Sequence, residues 1–139
     1  MHKLLYLFIS ILFLSTASFA LEAKGVVVKT LAKSSSSWNG ASLPAYPKGQ
    51  PQVTILDITI PPHSKLPMHK HPIVNAGILV SGELTVVSEK GKVLELKAGD
   101  SIVELVDTWH YGENKGDVPA QIIVFYAGIK NEPITVLKK

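Results

Sequence analysis

The chain has 139 residues, a length suited to one domain, and is 46% hydrophobic against 18% charged, a balance that calls for one folded core. A formal charge of +3 is too slight a basic balance for nucleic-acid binding, and the absence of cysteine excludes disulfides, thiol catalysis and cysteine-held zinc or iron–sulfur centres. All fourteen basic residues are lysine, so no guanidinium fork is present to grip a carboxylate or phosphate in two places.

Met1-His2-Lys3 opens with charge, Leu4 to Leu14 is an apolar run, and Ser15 to Ala20 is a small-residue end with Ser-x-Ala at 18 to 20. The run is far short of the ~20 residues that a spanning helix needs. Residues 1–20 therefore read as a secretory signal peptide cleaved after Ala20, which predicts a periplasmic or secreted chain with no stable membrane anchor.

Residues 26–30 (VVVKT) predict a short strand, and residues 34–50, rich in Ser, Pro and Gly, predict an extended arm. Together 21–50 form an N-terminal strand and arm, ahead of a barrel domain over 51–139. In that domain, short β-branched runs alternate with turns: 53–60, 75–80, 83–87, 92–96, 101–105, 121–127 and 134–137. Ser81-Gly82, Glu89-Lys90-Gly91 and Ala98-Gly99-Asp100 read as hairpin turns. Several runs are apolar at both parities, so both faces must be covered, as a closed or double-sheet barrel does.

Past the leader, the histidines are His63, His69, His71 and His110. Side chains at i and i+2 of a strand point the same way, so His69 and His71 can aim two imidazoles at one point, and Asn75 shares their parity. His110, in the turn-rich segment VDTWHYGEN (106–114), offers a third. Three imidazoles suit iron, zinc, manganese, nickel or copper and leave positions open for water or substrate, although a histidine pair alone is a weak signal.

These two segments resemble the paired motifs of the cupin superfamily, G-x5-H-x-H-x3,4-E-x6-G and G-x5-P-x-G-x2-H-x3-N. The first falls on His69, His71, Asn75 and Gly82, and the second on Gly99, His110 and Asn114, both without a gap. The resemblance implies an all-β double-stranded β-helix, a jelly-roll barrel, with one divalent transition metal ion on His69, His71 and His110. It also implies homodimerisation. Asn75 stands where the family usually places a glutamate ligand, and it serves either as a weak metal ligand or as a hydrogen bonder that orients one. The set resembles the three-histidine cupins, among them iron-dependent dioxygenases of thiols and diketones. His63 replaces the first glycine, and Leu105 and Asp107 replace a proline and a glycine.

Around this centre, His63 is expected on a turn rather than as a fourth ligand, and Asn114 is expected to hold its own loop. Trp109, Tyr111, Phe125 and Tyr126 are expected in the core. Glu104 reads equally as an acid or base near the metal and as a solvent-facing edge carboxylate. The chain is thus expected to be an exported metal-binding cupin that acts on a small molecule. The alternatives are a non-catalytic module holding a metal or small ligand, and a partner-binding barrel whose arm, residues 38–47, straps onto a neighbour.

Overall fold

The ten residues of β1 (Pro51–Ile60) alternate, with Leu56, Ile58 and Ile60 turned inward and Val53 and Ile55 outward, as a strand with one packed face must. A computed structural model describes residues 25–139, so the leader expected over 1–20 lies outside the described residues. The other strands are β2 (Ser64–Lys65), β3 (His69–Lys70), β4 (Asn75–Ser81), β5 (Glu83–Ser88), β6 (Val93–Lys97), β7 (Ser101–Val103), β8 (His110–Asn114), β9 (Ala120–Ile129) and β10 (Val136–Leu137).

One antiparallel sheet runs β1-β9-β4-β7 and the other β10-β3-β8-β5-β6, with β2 on β8. Ile60, Leu79, Ile122 and Val124 of the first sheet pack with Leu84, Val86 and Leu96 of the second to form the core. This is the expected all-β double-sheet barrel. Among the described residues no helix is long and apolar enough to cross a membrane.

Two of the three expected hairpin turns are corners between sheets. β4 and β5 do not pair, nor do β6 and β7, so Ser81-Gly82 and Ala98-Gly99-Asp100 carry the chain from one layer to the other. Only Glu89 to Gly91 closes a hairpin, between β5 and β6. The physical reason is coverage: runs apolar on both faces must alternate between layers. Gly82 makes its corner with φ +74, where a Cβ would stand 2.6 Å from the Pro119 carbonyl oxygen.

The strand expected over 26–30 is absent. Val26, Val27 and Val28 are exposed, Val27 to 92%, and pair with no strand among the described residues, so β-propensity alone made no strand there. The arm folds onto its own barrel. The Trp38 N–H donates to the Val103 carbonyl at 2.9 Å, and the Trp38 ring packs against the core.

Candidate metal centre

His69 on β3 lies directly opposite His110 on β8, and His71, two residues on, pairs with Val106 through a single parallel bridge. Period-two geometry and this ladder bring the three rings together, with centroids 4.5 Å apart for His69 and His110, 5.0 Å for His69 and His71, and 5.2 Å for His71 and His110. One ring nitrogen from each lies within 4.8 Å of the others. His71 and His110 are buried, and His69 is half-buried.

Each ring is held by its other nitrogen. Nδ1–H donates to a backbone carbonyl in every case: Pro67 for His69, Ile134 for His71 and Thr108 for His110, all at 2.8 Å. That assignment leaves the Nε2 lone pairs as acceptors facing one another, the arrangement in which backbone groups orient metal-binding imidazoles. Burial lowers the pKa of all three below the ordinary histidine value, His71 to about 4, so the rings are neutral at neutral pH. His110 Nε2 is buried without a hydrogen-bond partner.

Glu104 is buried just past β7. Its Oε2 lies 3.5 Å from His110 Nε2 and has no hydrogen-bond partner either, and burial pushes its pKa up to about 7. The solvent-facing reading of this residue is therefore wrong. Its parity with buried Ile102 was the sequence signal for an inward carboxylate. Neutral imidazoles with free Nε2 atoms and an orphaned buried carboxylate oxygen fit one divalent transition metal ion.

Asn75 is buried on β4, its Nδ2 donating to the Ile73 carbonyl at 3.3 Å and its Oδ1 unpartnered. His63 lies outside the cluster on an exposed turn with φ +55, its Nε2 3.1 Å from Asp117. Asn114 is fully buried and bonds four backbone groups, as expected of a loop holder. Of the four aromatics expected in the core only Tyr126 is buried, its ring centroid 5.4 Å from His71. Phe125 is 45% exposed because β9 alternates, and Tyr111 and Trp109 sit half-buried beneath lysines, Lys65 over the former and Lys70 and Lys138 over the latter.

The histidines open into a cavity of about 260 Å³ walled by Leu56, Ile58, Leu66, Leu84, Ile122 and Val124, with Glu104, Tyr126 and Thr135 as its other polar side chains. No lysine lines it. The sequence reading missed Thr135 and the Ile134 carbonyl, both contributed by the C-terminal segment.

Residues 56–126 match the family model described as the cupin domain. Among solved structures, a DMSP lyase from Ruegeria pomeroyi is 22% identical with TM-score 0.54, covering 62% of this chain and 43% of that one. The oxalate decarboxylase of Lactobacillus farciminis is 20% identical with TM-score 0.54, covering 61% of this chain and 26% of that one. An uncharacterized double-stranded β-helix protein from Klebsiella pneumoniae is 21% identical with TM-score 0.55, covering 70% and 82%. The chain spans less than half the length of the lyase and the decarboxylase, and at these identities the likeness is one of fold. No curated protein sequence matches the chain. The family match covers half the chain and contains all three clustered histidines within the double-sheet barrel: the chain belongs to the cupin family.

Proposed function

We propose that this chain is an exported single-domain cupin that holds one divalent transition metal ion on His69, His71 and His110. Its substrate on this reading is a small molecule with an aliphatic body and one polar head. The observation that supports it is the convergence of three backbone-anchored imidazoles inside an aliphatic cavity. When bound, such a metal supplies Lewis acidity toward a substrate oxygen or activates water or dioxygen.

The remaining work falls to the chain. The aliphatic walls exclude water and seat the substrate body, and the Tyr126 and Thr135 hydroxyls offer it hydrogen bonds. The Glu104 carboxyl, buried at the cavity wall 3.5 Å from His110 Nε2, presents an oxygen to the same space. With no lysine in the lining among the described residues and no arginine in the chain, a dianion would meet no side-chain cation there. Oxalate chemistry, which belongs to some of the solved neighbours, is therefore not part of this proposal.

The test is reconstitution with iron, manganese, nickel, copper or zinc, followed by a screen of short aliphatic thiols, diketones and alcohols beside dicarboxylates. Turnover of an aliphatic compound, lost in His110→Ala, is expected. Saturable binding without turnover would make the chain a non-catalytic holding module. Neither binding nor turnover with any metal would overturn the reading.

Export with cleavage after Ala20 is proposed from the composition of residues 1–20, and cell fractionation checks it. Homodimerisation is proposed through the outer face of the first sheet, where Val53, Ile55 and Phe125 are exposed and Ile55 pairs with Phe125, and sedimentation checks it.

A further inference from the structure

Residues directly opposite on antiparallel strands put their side chains on one face, with Cβ atoms about 5 Å apart. On β4, Asn75 lies opposite Tyr126 of β9. On its other side Ala76 pairs with Val103, and the next rung sets Glu104 against Asn75, the Glu104 N–H donating to the Asn75 carbonyl at 3.1 Å. Tyr126, Asn75 and Glu104 therefore share one buried rung.

Within that rung the two amide and carboxylate side chains differ in reach. Asn75 has its Nδ2 engaged with the Ile73 carbonyl, and it does not line the cavity. Glu104 lines the cavity and brings Oε2 to 3.5 Å from His110 Nε2, both atoms buried and unpartnered. That separation is long for a hydrogen bond. Two donors each ~2.1 Å from a common ion stand roughly 3.0–3.5 Å apart, which matches the Glu104–His110 pair. The donor atoms that all lie within 4.8 Å of one another are those of the three histidines, so Glu104 has to swing toward His69 and His71 to complete the set.

We propose that Glu104 is the anionic fourth ligand of the centre, the carboxylate having moved across one rung from position 75 on β4 to the facing position beyond β7. This inference rests on the metal-centre reading above. The exchange returns a negative charge to a donor set that three imidazoles leave neutral, and so favours retention of harder ions such as manganese and iron(II).

Cobalt(II) is the probe, with affinity read by chelator competition and coordination read by visible absorption. Wild type is compared with Glu104→Gln, Asn75→Ala and the exchange variant Asn75→Glu/Glu104→Gln, and metal-free melting temperatures establish that each folds. Glu104→Gln is expected to weaken cobalt binding about 10–100-fold and to change the absorption spectrum. The exchange variant is expected to regain affinity, because the carboxylate is put back on the same rung. Unchanged affinity and spectrum in Glu104→Gln would overturn the proposal, as would loss of cobalt in Asn75→Ala with retention in Glu104→Gln. A folded exchange variant that regains nothing would also count against it. Wild type that takes up no cobalt would bring down the metal-centre reading itself, a distinct result.

Discussion

The ring of His71 is fastened by the far end of the chain: its Nδ1–H donates to the Ile134 carbonyl at 2.8 Å, across 63 residues of sequence. The same segment supplies β10, which pairs Leu137 with His69 and Val136 with Lys70, and the Lys138 N–H donates to the Met68 carbonyl. Two of the three clustered histidines thus depend on residues 134–138 for their orientation.

Truncation after Glu132 is accordingly expected to lower metal affinity about 10–100-fold while leaving most of the sheet intact, since apart from Ile134, which packs against the core, the lost contacts orient ligands. Chelator competition beside far-ultraviolet circular dichroism checks it. Unchanged affinity in the truncated chain would show that β3 holds its histidines unaided.

Asn114 presents a different dependence. It is fully buried, its Nδ2 donates to the carbonyls of Ile60, Pro61 and Val118, and its Oδ1 accepts from the Gly116 N–H at 3.0 Å. Asn114→Ala strands these backbone groups and is expected to cost about 2–4 kcal/mol in denaturant unfolding. Asn114→Asp is expected to be similarly harmful, because a carboxylate cannot donate. A loss under about 1 kcal/mol in either would contradict this role.

The metal-free protein should lose stability on acidification. Burial keeps His71 unprotonated in the fold down to about 4 and lowers His69 and His110, whereas the unfolded chain takes up histidine protons near 6.5. Their contribution is therefore present above 6.5 and lost as pH falls below it, for His71 down to about 4. Glu104 has the opposite sign. Raised by burial from 4.5 to about 7, it contributes most below 4.5 and loses that contribution as pH rises to 7. The His71 and Glu104 shifts are of like size and opposite sign, so the lowered His69 and His110 set the net direction. Glu104→Gln removes the opposition, so this variant should gain on wild type between pH 4.5 and 7, by up to about 3 kcal/mol. Parallel stability profiles for the two proteins would contradict it.

The strands with an apolar face were legible from period-two runs, and β1, β4, β5 and β9 stand within a few residues of their expected bounds. β8 was not, because its inward positions are His110, Gly112 and Asn114, which carry function and packing instead of an apolar rhythm. The two short strands β2 and β3 offer too few residues for any period to show. Spacing by two predicted the aim of His69 and His71. The tautomers could not be read, since each depends on a backbone carbonyl and that of Ile134 arrives from a distant segment. Glu104 was ambiguous for the same reason: the sequence left it equally near the metal or facing solvent, and only the rung shared with Asn75 places it beside His110.

The most direct measurement is the metal content of the protein purified without chelating resin, beside a variant with His69, His71 and His110 all changed to alanine. Near-stoichiometric transition metal in wild type, lost in the folded variant, is the predicted result. No metal in wild type even after reconstitution, or equal metal in both proteins, would contradict the metal centre.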